Sequence, residues 1–203
     1  MSTNRRLSLY AAPAIEPVTV EEAKAHCRIS VNDEDALLTR LIKVGRSMVE
    51  ERTQRALITQ TWDAKYDAWP CVGLGGAFEL PLAPLQSVTS ITYVDTDGTT
   101  QTWDSASYQV SAPSGPIADR GRVALAYGYY FPVLRTLTLD AVRIRFVCGY
   151  GTAASSVPED LRTAILFLVH EMYDRRAETV QGQRSPNVIA ADALCAPFSV
   201  RRF

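Results

Sequence analysis

The hydrophobic period of this chain changes twice, and the order of the changes limits the folds open to it. Leu37, Leu38, Leu41, Ile42, Gly45, Met48 and Val49 fall on one stripe at helical spacing, while Arg40, Lys43, Arg46, Glu50 and Glu51 lie away from it. From Gln60 to Cys148 the period drops to two, with aromatic and β-branched residues between turn signals. Helical spacing returns at Leu161, Ala164, Ile165, Leu168, Val169, Met172 and Tyr173, and Leu166 and Phe167 widen that stripe. An amphipathic helix draws most of its stability from packing its apolar face, so the two helical segments are expected to pack together. The expected class is α+β, a small helical bundle with an inserted antiparallel β-rich region. Its parts are an N-terminal helical part at 1–60, a β-rich insertion at 61–148, and C-terminal helices with a tail at 149–203, together one structural unit.

Local signals sharpen these boundaries. Thr19 with Glu22 three residues on forms a capping box, predicting a short helix through Ala23 to His26. Ser30 to Asp35 supplies caps and acids for the positive end of the long helix, which should end near Thr53 to Arg55. Six or seven short strands are expected at Thr61–Trp69, Phe78–Leu80, Val88–Val94, Thr99–Trp103, Tyr108–Val110, Arg122–Leu125 and Val142–Val147, with Asp95-Thr96-Asp97-Gly98 as a hairpin turn. Pro158-Glu159-Asp160 starts the third-zone helix. Glu178 to Asn187 reads as a flexible loop, and Val188 to Leu194 as a short helix.

Composition excludes several classes. With 203 residues, 47% hydrophobic, the chain is long enough for one core and too apolar for disorder. Its 21 Lys plus Arg meet 22 Asp plus Glu, a net charge of −1, and the balance holds in each third of the chain. A free-standing nucleic-acid binder needs an excess of positive charge, which is missing. No apolar run approaches the roughly 20 residues of a membrane-spanning helix, and the start lacks the apolar core of a secretory signal, so a cytoplasmic location is expected by default.

No catalytic constellation stands out. Only His26 and His170 are present, and His26 and Cys27, as neighbours on a helix, point about 100° apart. His170-Glu171-Met172-Tyr173-Asp174 has Asp where a zinc-protease helix needs its second His. Cys27, Cys71, Cys148 and Cys195 are separated by 44, 77 and 47 residues, with no paired-ligand spacing. Gly73-Leu74-Gly75-Gly76 matches neither a dinucleotide fingerprint nor a phosphate loop and reads as a turn. Asp95 and Asp97 are turn residues, too few for a calcium loop. Neither an enzyme nor a cofactor or metal site is expected; a hydrolase built on His170 is the enzyme reading that remains.

Two features point to protein contact instead. The terminus Phe198-Ser199-Val200-Arg201-Arg202-Phe203 alternates apolar and charged residues after Pro197, and either folds back on the chain or inserts into a partner. The charged face with Arg40, Lys43, Arg46, Glu50 and Glu51 either meets a neighbouring subunit or pairs within the chain.

The order of motifs along nearly the whole chain resembles the head-tail connector, or adaptor, proteins of long-tailed bacteriophages and of phage-derived gene transfer agents. The resemblance rests on Pro17–Lys24, Asp33–Leu38 leading into the long helix, Thr53–Trp62 at its exit, Leu80–Val88, Tyr93–Gly98, and Gly149-Tyr150-Gly151 followed by Val157–Leu161. It implies a ring, usually twelve-fold, beneath the portal protein at the head-tail interface of a virion or phage-like particle, after synthesis in the bacterial host cytoplasm. The implied partners are further copies of the chain, the portal above, and stopper or tail-completion proteins below, around a channel through which DNA passes without sequence-specific binding; no membrane is involved. In this family the terminal segment docks into the portal, which would give Phe198, Val200, Arg201, Arg202 and Phe203 that role. A tail-completion or capsid-decoration protein of the same particles is the alternative. The resemblance supplies no firm counterpart for Gly73 to Phe78, whose role it leaves open.

Overall fold

The computed structural model describes residues 5–70, 76–174 and 185–200. It is an α+β chain whose contacts gather into two units: residues up to Ala12 with Thr59–Gly149, and Pro13–Ile58 with Tyr150 onward.

The second unit is helical. Helix α1 (Val20–Cys27) opens on the capping box, Thr19 Oγ1 accepting from Glu22 N–H at 3.1 Å and Glu22 accepting from Thr19 N–H at 2.8 Å. Helix α2 (Asp35–Thr53) buries Leu38, Ile42, Gly45, Val49 and Thr53, four of them on the expected stripe. Its N-cap is Glu34, whose side chain makes no capping bond, and it ends with Gln54 in the left-handed region. Helix α3 (Glu159–Asp174) buries Leu161, Ala164, Ile165, Leu168 and Val169. Gly45 lets α2 and α3 approach closely, since a Cβ there would stand 3.2 Å from Ile165 Cγ2. Glycine costs a helix interior about 1 kcal/mol relative to alanine, and close approach is what it gives in return. Helix α4 (Pro186–Cys195) starts earlier than its apolar pattern suggests, because Ser185 caps it by accepting from Val188 N–H and Pro186 takes the first turn. The expected loop through Asn187 therefore ends at Ser185; residues 178–184 lie outside the described residues. None of the helices is long and apolar enough to cross a membrane among the described residues.

The first unit is β-rich, with two antiparallel sheets. Strands β1 (Arg6–Ala11), β2 (Gln60–Tyr66), β4 (Leu85–Val94), β5 (Thr100–Thr102) and β8 (Val142–Cys148) form one, in the order β1-β2-β8-β4-β5. Strands β3 (Ala77–Glu79), β6 (Tyr108–Ser111) and β7 (Arg122–Leu125) form the other, in the order β3-β7-β6. The period-two reading holds best on β8, where Val142, Ile144, Phe146 and Cys148 are buried and the residues between them are not. Gly121 lies against Leu85, and no Cβ would fit there. The Asp95–Gly98 turn closes the β4–β5 hairpin with Gly98 at φ 86°, and Asp95 Oδ1 accepts from Asp97 and Thr99 N–H.

Two boundaries differ from expectation. Residues 6–11, grouped with the helical part on sequence, are the edge strand β1, paired with β2 from Arg6↔Lys65 to Ala11↔Thr61. Strand β4 begins at Leu85 rather than Val88, carried through two register shifts along β8. Gly73 to Gly75 lie outside the described residues.

Candidate interaction surfaces

The charged face of α2 is divided between interior and solvent. Arg46 donates from Nε to Glu16 at 2.7 Å and from Nη1 to Glu50 at 2.7 Å, while the other Glu50 oxygen accepts from Leu57 N–H at 2.9 Å. Burial works against the Arg46 charge, and Glu50 and Glu16 more than offset it, holding the guanidinium pKa above its ordinary value. Arg46 and Glu50 thus fasten the segment before α1 and the chain leaving α2 onto the helix. Arg40, Lys43 and Glu51 are exposed and make no ion pair among the described residues.

The terminal segment packs on the far end of the same helix. A 3-10 turn at Ala196–Phe198 follows α4, and Phe198 and Val200 are both buried. Val200 N–H donates to Thr53 carbonyl at 3.1 Å, and the buried Arg55 donates from Nε to Phe198 carbonyl at 2.6 Å. A buried guanidinium must have partners, and Tyr150 is a second one, its hydroxyl pKa pushed up by burial and partly restored by Arg55. Phe198 and Val200 therefore fold back on their own chain; Arg201, Arg202 and Phe203 lie outside the described residues.

The two histidines meet, although their sequence separation gives no hint of it. His26 on α1 and His170 on α3 stand edge to face, ring centroids 5.8 Å apart, with Phe167 against His26 at 5.5 Å. Asp174 Oδ2 lies 3.3 Å from His170 Nε2. Burial and the neighbouring His170 lower the His26 pKa, while burial and then Asp174 raise that of the Cys27 thiol. Both shifts oppose nucleophile activation, since they disfavour the imidazolium and the thiolate alike. Burial pushes Cys195 up to about 11. Among the described residues no three His, Cys, Asp or Glu side chains converge as a metal site.

One surface was not singled out by period or motif. The connection from Ala126 to Asp140, between β7 and β8, carries Tyr127, Tyr129, Tyr130, Val133, Leu137 and Leu139, all exposed. It is nevertheless tied down. Phe131 enters an aromatic cluster, 5.0 Å from Trp69 and 5.6 Å from Trp103, and Trp69 Nε1 donates to Pro132 carbonyl at 2.8 Å. Arg135 N–H donates to Val94 carbonyl at 3.1 Å, and Asp140 N–H to Asp67 at 2.9 Å. The run Tyr127-Gly128-Tyr129-Tyr130-Phe131 is the sequence signal for this surface, five residues with four aromatics in a stretch that is not a strand.

Residues 17–112 match the model of the phage gp6-like head-tail connector protein family. No curated protein matches the sequence. Among solved structures, a chain in the neck of an empty gene transfer agent particle computed with C6 symmetry aligns at TM-score 0.78 and 26% identity, covering 98% of this chain and 97% of that one. A chain in the virion of a native gene transfer agent particle gives TM-score 0.78 and 26% identity over 97% and 96% of the two chains. A chain in the neck of the native particle computed with C12 symmetry gives 0.71 and 24% over 97% of each. By sequence over residues 17–112 the chain is similar to phage gp6-like head-tail connector proteins, and by fold over nearly its whole length it is similar to structural chains of gene transfer agent particles.

Proposed function

We propose that copies of this chain form a ring beneath the portal of a phage or phage-like particle, joining head to tail around the channel through which DNA passes. The observation that carries this reading is the whole-length likeness to chains in particle necks of C6 and C12 symmetry. A ring is a closed set of heterologous contacts, so each copy must present two different faces to its neighbours. Of the charged residues on α2, Arg40, Lys43 and Glu51 are the ones left to serve such a contact, since Arg46 and Glu50 are engaged within the chain. The net charge of −1 suits a conduit, because a strongly basic lining would bind phosphates and slow passage. With Phe198 and Val200 committed to the fold, the portal-docking role passes to Arg201, Arg202 and Phe203.

Electron microscopy of purified portal rings mixed with this protein tests the proposal. The expected result is a second ring of this chain on one end of the portal. Failure of portal rings to recruit the protein, together with its absence from the neck of assembled particles, overturns it; density on the capsid faces instead would establish the decoration reading. A monomer in the absence of portal is compatible with the proposal, since a portal can template the ring.

A further inference from the structure

We infer that the anchored loop between β7 and β8, residues 126–140, is one of the two lateral faces by which a copy of this chain docks on the next; the inference rests on the ring reading above. Tyr127 and Leu137 are as exposed as in an extended chain, at 101% and 106%, and Tyr130, Val133 and Leu139 are at 74% or more. Six of the fifteen large hydrophobic side chains exposed among the described residues fall between Tyr127 and Leu139. Scattered exposed apolar residues are ordinary, whereas their concentration in one short, anchored segment points to a contact surface.

The loop is built to present these side chains rather than to bury them. Phe131 and Pro132 are held by Trp69 and Trp103, and the backbone of Arg135 is held by Val94. The two charged side chains of the loop are directed away from its apolar rim. Arg135 lies over Gly98 of the β4–β5 hairpin, and Asp140 pairs with Arg6 and Lys65. What remains for a partner is a tyrosine-rich, uncharged surface with little backbone freedom to lose on binding, which lowers the ordering cost of association.

The occupant is a second copy of this chain. At roughly 200 Å² for a tyrosine and about 100 Å² for an aliphatic side chain, the exposed part of these six comes to about 700 Å². That approaches the ~800 Å² per partner of a standard stable interface. Tyrosine enrichment and lack of charge are features of interface centres, and contacts between identical copies are the more apolar class. In a closed ring every copy's lateral face is covered by another copy, so an apolar cluster of this size is withdrawn from water when the ring closes.

Site-specific photo-crosslinking decides the matter. With p-benzoylphenylalanine in place of Tyr130, particles are assembled, irradiated and analysed by denaturing electrophoresis and peptide mapping. The expected product has twice the 22.4 kDa mass of one chain and joins position 130 to a peptide of the same sequence. An adduct only to portal or to a tail protein, or no adduct from protein that is in the neck, overturns the inference and leaves the connector reading intact. Absence of the protein from particles removes both. As a second readout, the triple variant Tyr127→Ser, Tyr130→Ser, Leu137→Ser should lose at least tenfold in ring yield on portal while its monomer melts as the parent does. Equal ring yield from the variant also overturns the inference.

Discussion

At the scale of single residues, burial decides between roles that composition leaves open. Phe198 can be a docking anchor or a core residue by its chemistry; its 5% exposure and the Arg55 bond to its carbonyl make it core. Replacing it with alanine removes a buried aromatic and leaves a cavity, a loss of about 3–5 kcal/mol, read as a lowered urea midpoint. Removing Arg201 to Phe203 alone should leave that midpoint unchanged and abolish recruitment by portal; retained recruitment would refute a docking role for these three residues. His26 makes a second residue-level prediction. Its folded pKa lies below its unfolded value, so the unfolded state binds more protons and stability rises with pH across the window. Its contribution is complete above about pH 6.5 and is lost as pH falls through that value toward the lower, folded pKa. His26→Gln should flatten the pH dependence of thermal stability between about pH 7 and 5. A slope unchanged by the substitution would assign the effect to other groups.

At the scale of elements, signals carried by neighbours in sequence were legible and those carried by distant partners were not. The Thr19–Glu22 box and the Asp95–Gly98 turn are complete within four residues, and both form as read. Strand β1 is held by β2 fifty or more residues away, and its exposed Leu7, Leu9 and Tyr10 give no inward-facing pattern to recognise. Arg46 shows the same division within one side chain. Its partner Glu50 is at i+4 and visible on a helical wheel, whereas Glu16 is brought in by tertiary folding. The loop surface escaped for a further reason: periodicity detects what packs into a core, and these tyrosines pack into none. Packing at Gly45 can be tested directly, because the 3.2 Å approach to Ile165 Cγ2 leaves room for a hydrogen and little else. Gly45→Leu would gain helix propensity of about 1 kcal/mol but must push α3 aside, and overpacking of this kind costs typically 1–3 kcal/mol, occasionally more. The expected outcome is a net drop in melting temperature; a higher melting temperature would show that α2 and α3 part without penalty.

At the scale of the whole molecule, near-neutral charge and an exposed apolar loop make different demands on the proposed ring. If the exposed Arg40, Lys43 and Glu51 held adjacent copies together, the contact would be screened as the Debye length falls from about 10 Å at 0.1 M salt to about 3 Å at 1 M. A contact made by Tyr127, Tyr130 and Leu137 has no charge to screen, and burial of apolar surface does not weaken in sodium chloride as an ion pair does. Rings assembled on portal should therefore keep their occupancy when transferred from 0.1 M to 1 M sodium chloride, measured by counting decorated portals in micrographs. Under the same conditions the ring should not retain free duplex DNA even at 0.1 M salt, because a subunit with 21 basic and 22 acidic residues has no excess cations to exchange for bound counterions. Loss of rings at high salt would transfer the lateral contact to the charged face of α2. Tight DNA retention at low salt would mean that the proposed ring concentrates basic residues on its inner face despite the overall balance, and would count against a conduit that lets DNA pass freely.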